Sequence, residues 1–352
     1  MKLLIPVMVI LLLVSTSFIG VSFVVKKSSQ FYDGNTLYVG GDGPGNYTKI
    51  QDAIENSSDG DTVFVYNGSY YENLYVIKSV NLIGEDKNST IVNGIGERNV
   101  TINVLSDRVN ISEFMILSQN GCGIQLYSEY NCISYNILKN HSTGIKGDAD
   151  YNIMSYNIIE NNRVGIEYFD CCNNNIEGNI ISNNYIGIDL QISHYNNISS
   201  NIIEYCDCGV LIGISSHNVI SMNSIQNNEL GIFLEVSTKT TIIQNNFVNN
   251  EINATFARSN TVELFFKILG IYLNFSPLLK IKVSARNIWD ENYWGTSDIS
   301  KYKINGYRGF FYNDIQGYFN TLNSFLNEPD PSIFNWKVYD WNPAQEPYDI
   351  GV

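Results

Sequence analysis

Short runs of aliphatic residues alternate with Asn and Gly along the middle of the chain. The stretches NIIENNRVGI (157–166), NIISNNYIGI (179–188) and NIIEYCDCGV (201–210) are variants of one phrase. Its glycine recurs every 21 or 22 residues, at Gly123, Gly144, Gly165, Gly187, Gly209 and Gly231. Ile and Val in short runs that turn-forming residues interrupt are typical of strands. A repeat of this length predicts one coil of a parallel β-helix per period, with the glycine at a left-handed or close-packed corner.

Two columns of Asn run in register through these repeats. Coils of a β-helix stack about 4.8 Å apart, so residues one period apart lie directly over each other. An inward Asn amide can bond corner peptide groups and the next amide in its column. We therefore predict structural ladders at Asn131, Asn136, Asn152, Asn157, Asn174, Asn179, Asn196, Asn201, Asn218 and Asn223. The same count places the next pair at Thr241 and Asn246.

The two ends of the chain carry different patterns. Residues 48–55, TKIQDAIE, place Ile50, Ala53 and Ile54 on one helical face, which predicts a helix that covers the first coil. Thr48 and Gln51 fit a capping box at its start. The first coil then begins near residue 61.

An apolar run of 23 residues, from Leu3 to Val25, lies between Lys2 and the pair Lys26 and Lys27. About 20 apolar residues suffice to cross a bilayer. We therefore predict that residues 1–27 are a signal peptide or a membrane anchor. The protein is then either secreted or held at the outer face of the cytoplasmic membrane.

The formal net charge of −14 changes the expected partners. A chain this acidic is repelled by nucleic acid and by anionic membrane surfaces. We expect no nucleic-acid partner, and membrane contact through the N-terminal segment only. The six Cys contain no C-x-x-C pair, which argues against a zinc ribbon or a small disulfide scaffold.

Several phrases of the sequence are similar to those of one group of proteins. The opening NYTKIQDAIENSSDGDTVFVYNGSYYENLYVIKSVNLIGED resembles that of the pectin-lyase-like proteins, in particular the NosD-like and CASH-domain group. The phrases NIWDENYWG (287–295) and YDWNPAQEPYDI resemble the closing parts of archaeal surface proteins of that group. The resemblance implies an all-β fold, a right-handed parallel β-helix with an N-terminal capping helix.

The resemblance and the repeat together divide the chain. Residues 28–60 would form a linker and the N-terminal cap, and 61–296 the β-helix. Residues 260–286 break the Asn period with large apolar residues, so we predict an irregular insertion there. Residues 297–352 would form a C-terminal extension that caps the stack.

One face of the predicted β-helix carries polar and aromatic side chains. The outward position after each Gly and aliphatic pair holds Gln125, Lys146, Glu167, Asp189, Leu211 and Phe233. Two positions further stand Tyr127, Asp148, Phe169, Gln191, Gly213 and Glu235. Aromatic rings stack on sugar faces, and carboxylates accept hydrogen bonds from hydroxyl groups. This predicts a glycan-binding strip at Tyr127, Lys146, Asp148, Glu167, Asp189 and Gln191, whereas the alternative is a solvated face with a weak Lys146–Glu167 ion pair.

A second column combines ligand types that bind metals. Asp150, Cys172 and His194 each stand seven residues before a ladder Asn, and His217 is one place off in the next coil. A carboxylate, a thiolate and imidazoles about 4.8 Å apart could reach a shared Zn²⁺ or copper ion. The competing interpretation is a turn in which these residues recur by chance. The resembling group has a copper association.

The sequence does not identify a catalytic centre. The strings NTD, DD, GHG and DPHD, which mark pectin- and alginate-active enzymes of this fold, are absent. The main hypothesis is an exported, non-catalytic surface protein that binds glycan or another cell-envelope component. One alternative is a polysaccharide-active enzyme of the lyase or hydrolase type. Another is a NosD-like accessory protein in the maturation of a copper enzyme.

Overall fold

Each repeat forms one turn of a right-handed parallel β-helix, and about ten turns stack on one another. The computed structural model describes residues 34–97, 99–258, 287–295, 302–308, 336–340 and 343–350, all within the compact unit Gly34–Val352. The predicted leader at 1–27 and the insertion at 260–286 lie outside the described residues. Within them, no helix is long and apolar enough to span a bilayer. The predicted fold class is confirmed.

Three sheets form the sides of the β-helix. Sheet A contains β1 (Thr36–Val39), β2 (Thr62–Val65), β5 (Asn81–Gly84), β8 (Asn110–Ser112), β11 (Cys132–Ser134), β14 (Ile153–Ser155), β17 (Asn175–Glu177), β20 (Asn197–Ser199), β23 (Val219–Ser221), β26 (Thr241–Ile243) and β29 (Ile288–Asp290). Sheet B contains β3 (Gly68–Tyr71), β6 (Thr90–Glu97), β9 (Met115–Gln119), β12 (Ile137–Lys139), β15 (Ile158–Glu160), β18 (Ile180–Ser182), β21 (Ile202–Glu204), β24 (Ser224–Gln226) and β27 (Asn246–Val248). Sheet C contains β4 (Leu74–Val76), β7 (Val100–Val104), β10 (Cys122–Leu126), β13 (Thr143–Gly147), β16 (Val164–Phe169), β19 (Ile186–Gln191), β22 (Cys208–Gly213), β25 (Leu230–Glu235), β28 (Ile252–Arg258), β30 (Tyr302–Arg308) and β31 (Trp336–Asp340).

Inward aliphatic side chains fill the centre of the β-helix. Side chains alternate along a strand, so the middle residue of each three-residue strand in sheet A points inward. In register these are Ile133, Met154, Ile176, Ile198, Ile220 and Ile242, all buried. These aliphatic side chains therefore form a continuous part of the core that runs along the axis.

The predicted Asn ladders are confirmed. The backbone N–H and the side-chain amide of Asn157 both donate to Oδ1 of Asn179, at 2.9 and 3.0 Å. Asn179 in turn donates from Nδ2 to the carbonyl of Met154 and to Oδ1 of Asn201. Each Asn thus satisfies corner peptide groups that the strands leave unpaired.

The assignment of the last pair was wrong by one residue. The side-chain amide of Asn223 donates to Oδ1 of Asn245 at 2.9 Å, so Asn245 and not Asn246 continues the ladder. Thr240 and not Thr241 occupies the other column, since its N–H donates to Oδ1 of Asn287. The steps from Asn223 to Asn245 and from Asn218 to Thr240 are 22 residues, the same as in the preceding coils. Asn246 instead starts β27.

A third ladder escaped the sequence analysis. It contains His141, Asn162, Asn184, Cys206, Asn228 and Asn250. Nε2 of His141 lies 3.0 Å from the carbonyl of Ile116, the same role that the Asn184 amide fills toward Ile159. Because His141 and Cys206 replace Asn at two positions of this ladder, a search for recurring Asn in the sequence does not reveal it.

The recurrent glycine is required by close packing. A Cβ on Gly165 would lie 2.5 Å from the carbonyl oxygen of Gly187 in the next coil. The left-handed conformation occurs elsewhere, at corner residues that include Tyr130, Tyr135 and Asn140, with φ of 61°, 58° and 65°. The glycine is therefore close-packed, as one of the two predicted alternatives has it, but it lies within the strands of sheet C and not at a corner.

The N-terminal cap is the predicted helix, α1 (Ile50–Asn56), which buries Ile50, Ala53 and Ile54. The predicted capping box is wrong, because no side chain of the N-terminal residues caps α1. The carboxylate of Glu72, from the first coil, instead accepts the backbone N–H groups of Ile50 and Gln51 at 2.9 and 3.1 Å. The sheets also begin earlier than predicted, since β1 precedes α1.

Aromatic residues close the other end of the described stack. The rings of Phe247 and Trp294 stack with centroids 4.5 Å apart, and Trp289 lies beside them. Two strands in the predicted C-terminal extension continue sheet C. The first, β30, pairs in parallel with β28, and β31 pairs with β30 in the antiparallel direction.

Candidate functional site

The predicted strip lies on the outer face of sheet C. Register places Gln125, Lys146, Glu167, Asp189, Leu211 and Phe233 in one column. Leu126, Gly147 and Tyr168 are paired in register and point inward. The residues that follow them, Tyr127, Asp148 and Phe169, therefore point outward and stand above one another in a second column on this face.

The lower half of this face, formed by the N-terminal coils up to Phe169, is exposed and contains apolar side chains. Tyr127 is 50% exposed and Phe169 is 52% exposed. Leu105 precedes Tyr127 in the same column and is 46% exposed, and Ile77 begins the column. This continuous column projects from the sheet over successive coils, whereas isolated exposed apolar residues are ordinary on protein surfaces. We call Ile77, Leu105, Tyr127, Asp148 and Phe169 the outer column.

A cleft of about 630 Å³ opens where sheet C turns toward sheet A. Leu105 and Tyr127 form its apolar side. The remaining lining residues are mostly acidic: Asp107, Ser128, Glu129, Asp148, Ala149, Asp150 and Asp170. Two of these carboxylates already hold the backbone, because Asp107 accepts the N–H of Glu129 and Asp150 accepts that of Cys172. The cleft thus places several carboxylates beside the exposed ring of Tyr127.

Polar side chains beside the outer column are ordered by local contacts. The side-chain amide of Gln125 donates to Oδ2 of Asp148 at 2.7 Å. Lys146 Nζ lies 3.7 Å from Oε1 of Glu167, and Thr143 donates to the other carboxylate oxygen. Both partners of this ion pair are about one-third exposed, so it contributes little to stability. The lower half therefore presents amide, carboxylate and ring groups together.

The upper half of the predicted strip is not exposed, which corrects the prediction for Asp189. Asp189 is 4% exposed, and Leu211 and Phe233 are buried as well. Leu211 and Phe233 belong to an apolar cluster, separate from the main core, that also includes Ile186 and Cys208. Gln191 is partly buried and donates to Asp189 at 2.7 Å. The exposed part of the strip thus ends near Phe169.

Burial changes the acidity of two carboxyl groups in this upper half. It raises the pKa of Asp189 to about 7, and the negative charges of Glu167 and Glu235 act in the same direction. Burial also raises the pKa of Glu235 to about 7. The desolvated charged form is unfavourable in both cases.

The predicted metal column is only partly in register. Cys172 pairs with His194, but His194 pairs with Ser216, so His217 belongs to the neighbouring column. There its ring stacks on Tyr195 with centroids 4.7 Å apart. Asp150 is engaged with the backbone of Cys172, as described above. The structure therefore does not bring Asp150, Cys172, His194 and His217 together.

The side chains of this column also do not form a zinc or copper site. Across the part of the chain that the structure describes, no group of three or more His, Cys, Asp and Glu side chains could hold a metal ion. Nδ1 of His194 accepts a hydrogen bond from the N–H of Ser216 at 3.0 Å. Burial raises the pKa of Cys172, which keeps its thiol protonated, whereas the thiolate is the metal ligand. The described residues do not fit a copper site.

Sequence reasoning missed the lower end of the outer column. Ile77 and Leu105 are separated by 28 residues, a longer step than the 21 or 22 of the later coils. The period count therefore does not reach Ile77. Leu105 lies 22 residues before Tyr127, but its coil has Thr101 in place of the recurrent glycine, so the glycine count starts one coil later. The outward residue after each buried one in β4 and β7 would have revealed them once the strands were placed.

Solved structures share the fold at low sequence identity. The enzymatically active domain of tailspike protein 2 of bacteriophage CBA120 is 12% identical, with a TM-score of 0.54 over 65% of this chain and 42% of that chain. Full-length tailspike protein 2 from the Escherichia coli O157:H7 bacteriophage is 13% identical, with a TM-score of 0.51 over 60% and 35%. At these identities the likeness shows the β-helix fold alone. This chain spans less than half of either tailspike chain.

A curated relative matches a short part of the sequence. It is a cell surface glycoprotein of Methanothermus fervidus, 37% identical over 78 residues. The match covers 21% of this chain and 13% of the glycoprotein. The chain thus corresponds to a small portion of that protein.

A family model covers most of the β-helix. The model described as periplasmic copper-binding protein (NosD) matches residues 54–298, from α1 to the closing Trp-rich coil. This match includes the repeats, all three ladders and the whole outer column. The chain therefore belongs to the NosD family.

Proposed function

We propose that this protein is an exported β-helix protein of the cell surface that binds glycan without cleaving it. The observation that carries the proposal is the outer column of sheet C, where the exposed rings of Tyr127 and Phe169 flank the carboxylate of Asp148. Sugar rings combine apolar faces with a rim of hydroxyl groups. The outer column offers both kinds of partner on one surface.

Three features support glycan over other ligands. The rings of Tyr127 and Phe169 supply apolar contact area at a low entropic cost. Asp148 and Gln125 accept and donate hydrogen bonds beside them, and the acidic cleft adds further acceptors. A polar rim around a few exposed rings is the usual composition of a recognition site.

The export part of the proposal has separate support. The family description and the matched glycoprotein are both those of proteins outside the cytoplasm. The apolar run at 3–25 provides a leader or an anchor. The copper part of the family description does not extend to our proposal, because the described residues do not fit a copper site.

The enzymatic alternative rests on Asp189 and Glu235, whose pKa values of about 7 suit a general acid. Asp189 is buried, however, and a catalytic acid must reach its substrate. A lyase also needs a base and a cation at the sugar carboxylate. On the outer face described here, Lys146 is already paired with Glu167. These contacts favour binding over cleavage.

The test uses the full chain and a panel of uncharged and acidic polysaccharides. Affinity electrophoresis reports binding, while absorbance of new double bonds and assays of reducing ends report cleavage. We expect retarded migration on at least one glycan and no cleavage of any. Absence of retardation across the panel would overturn glycan binding, and product formation would establish the enzymatic alternative.

A further inference from the structure

Tyr127 and Phe169 lie two coils apart in the same column. One intervening coil carries Asp148 at the equivalent position. Neighbouring coils are about 4.8 Å apart, so the two side chains project from points roughly 10 Å apart along the axis. This distance is close to the length of two successive sugars in an extended β-linked polysaccharide.

Both rings are available to a ligand. Among the described residues, neither ring stacks on another ring, and each is about half exposed. The exposed tyrosines beside sheet A differ, because Tyr130 stacks on Tyr151 and Tyr135 stacks on Tyr156 with centroids 5.2 Å apart. Their ring faces cover each other, whereas those of Tyr127 and Phe169 are not covered by another ring.

The charges on this face select against acidic polymers. The cleft beside Tyr127 is lined by the carboxylates Asp107, Glu129, Asp148, Asp150 and Asp170. Lys146 is held by Glu167, and the guanidinium of Arg108 lies 5.7 Å from the centre of the Tyr130 ring. A uronate chain would place its carboxylates against this negative surface.

We propose that the ligand is an uncharged polysaccharide with an extended, β-linked backbone that lies along the β-helix axis. Alternate sugars stack on Tyr127 and Phe169, and the sugar between them donates hydroxyl hydrogen bonds to Asp148. Leu105 and Ile77 extend the apolar contact below Tyr127. This inference rests on the glycan-binding function proposed above and adds the class and orientation of the ligand.

The geometry predicts how affinity depends on chain length. A trisaccharide is the shortest ligand that reaches both rings, so affinity should rise steeply between the disaccharide and the trisaccharide. The probes are β-1,4-linked oligomers of glucose, mannose and xylose from one to six units. Maltohexaose, whose α-linked backbone coils, and hexagalacturonate, which is acidic, test backbone shape and charge. Calorimetric titration of the full chain measures each affinity.

Variants test the two rings separately. We expect Tyr127→Ala and Phe169→Ala each to weaken binding of the hexamer about tenfold, which is the effect of losing one aromatic anchor. The double variant should lose the difference between disaccharide and trisaccharide. Tyr71→Ala is the matched control, because Tyr71 is equally unstacked among the described residues and exposed, but lies in sheet B. It should bind as the parent chain does.

The outcomes separate this inference from the general function. If none of these sugars and no polysaccharide of the wider panel binds the parent chain, the glycan-binding function fails. If a glycan binds but both ring variants bind it equally well, the function stands and the placement on Tyr127 and Phe169 is wrong. Tighter binding of hexagalacturonate or maltohexaose than of the β-1,4 hexamers would overturn the ligand class. Circular dichroism of each variant confirms that the fold is intact.

Discussion

Tyr168 fills the space that Gly147 leaves in the coil before it. The two residues are paired in register, and a Cβ on Gly147 would overlap Cε1 of the tyrosine ring. Tyr168 is fully buried, and its hydroxyl reaches only Sδ of Met154 at 3.4 Å among the described residues. The packing of the core at this coil therefore requires glycine at position 147, because the Tyr168 ring occupies the space that a larger side chain would need.

Gly147→Ala should destabilise the protein by about 1–3 kcal/mol, because a rigid ring in a packed core must move to admit the methyl group. Gly213→Ala is the control, since its new Cβ would meet the end of the flexible Gln191 side chain instead. Urea denaturation measures both. Equal losses of stability for the two variants would contradict the packing argument.

Asn179→Ala should cost about 1–3 kcal/mol. It leaves the backbone N–H of Asn157 and the carbonyl of Met154 without their partners in a buried corner. The control is Asn173→Gly, because Asn173 is exposed, lies outside the ladders and has a φ of 58° that glycine adopts without strain. Thermal unfolding should separate the two variants, and similar melting temperatures would refute the ladder assignment.

The fold was predictable because every coil repeats the same constraints. Asn136, Asn157 and Asn179 recur at fixed steps, and stacking converts that period directly into contact. Glu72 as the cap of α1 was not predictable from a local motif, since the carboxylate comes from 22 residues away in the chain.

The site was predictable only in part. The outward column from Tyr127 to Phe169 follows from alternation along strands, which the sequence pattern contains. The burial of Asp189 does not, because exposure of an outer face depends on what else packs beside it. The metal column failed for a simpler reason, since Ser216 follows His194 at the regular step and His217 stands one position later, in a different column.

Stability should fall as the pH rises from about 4 to about 7 because of Asp189. Burial raises the pKa of Asp189 from 3.8 to about 7, so over this range the folded state holds a proton that the unfolded chain has lost. The full effect is on the order of 4 kcal/mol. Glu235, whose pKa is also about 7, acts in the same direction.

Asp189→Asn should flatten this decline and make the variant more stable than the parent at pH 8. The side-chain oxygen that accepts the Gln191 amide is retained in the variant. Urea unfolding at several pH values measures the slope. An unchanged slope in the variant would show that Asp189 is not the group responsible.

His141 should act in the opposite direction. Burial lowers the pKa of His141 from 6.5 to about 4, so the unfolded chain takes up a proton first as the pH falls. Neutral His141 therefore costs the folded state nothing above pH 6.5, and the free energy of unfolding decreases as the pH falls from 6.5 toward 4. His141→Asn, which fits the ladder of Asn162 and Asn184, should therefore be more stable than the parent at pH 4 and similar at pH 8. A stability loss at both values would instead indicate a packing defect.

Asn246 and Tyr348 hold the end of the described chain by two hydrogen bonds. The side-chain amide of Asn246 donates to the carbonyl of Tyr348, and its Oδ1 accepts the Tyr348 N–H, both at 2.7 Å. Asn246→Ala removes both bonds, so the Tyr348 amide should exchange with solvent faster, while amides of the central ladders keep their protection. Asn197→Ala is the matched control, because among the described residues its side chain bonds only Asn175 and Ser199, on the outer face of sheet A. Hydrogen exchange read by mass spectrometry measures both variants. If the Tyr348 amide exchanges equally slowly in the Asn246 variant and in the parent chain, the two hydrogen bonds do not hold this segment.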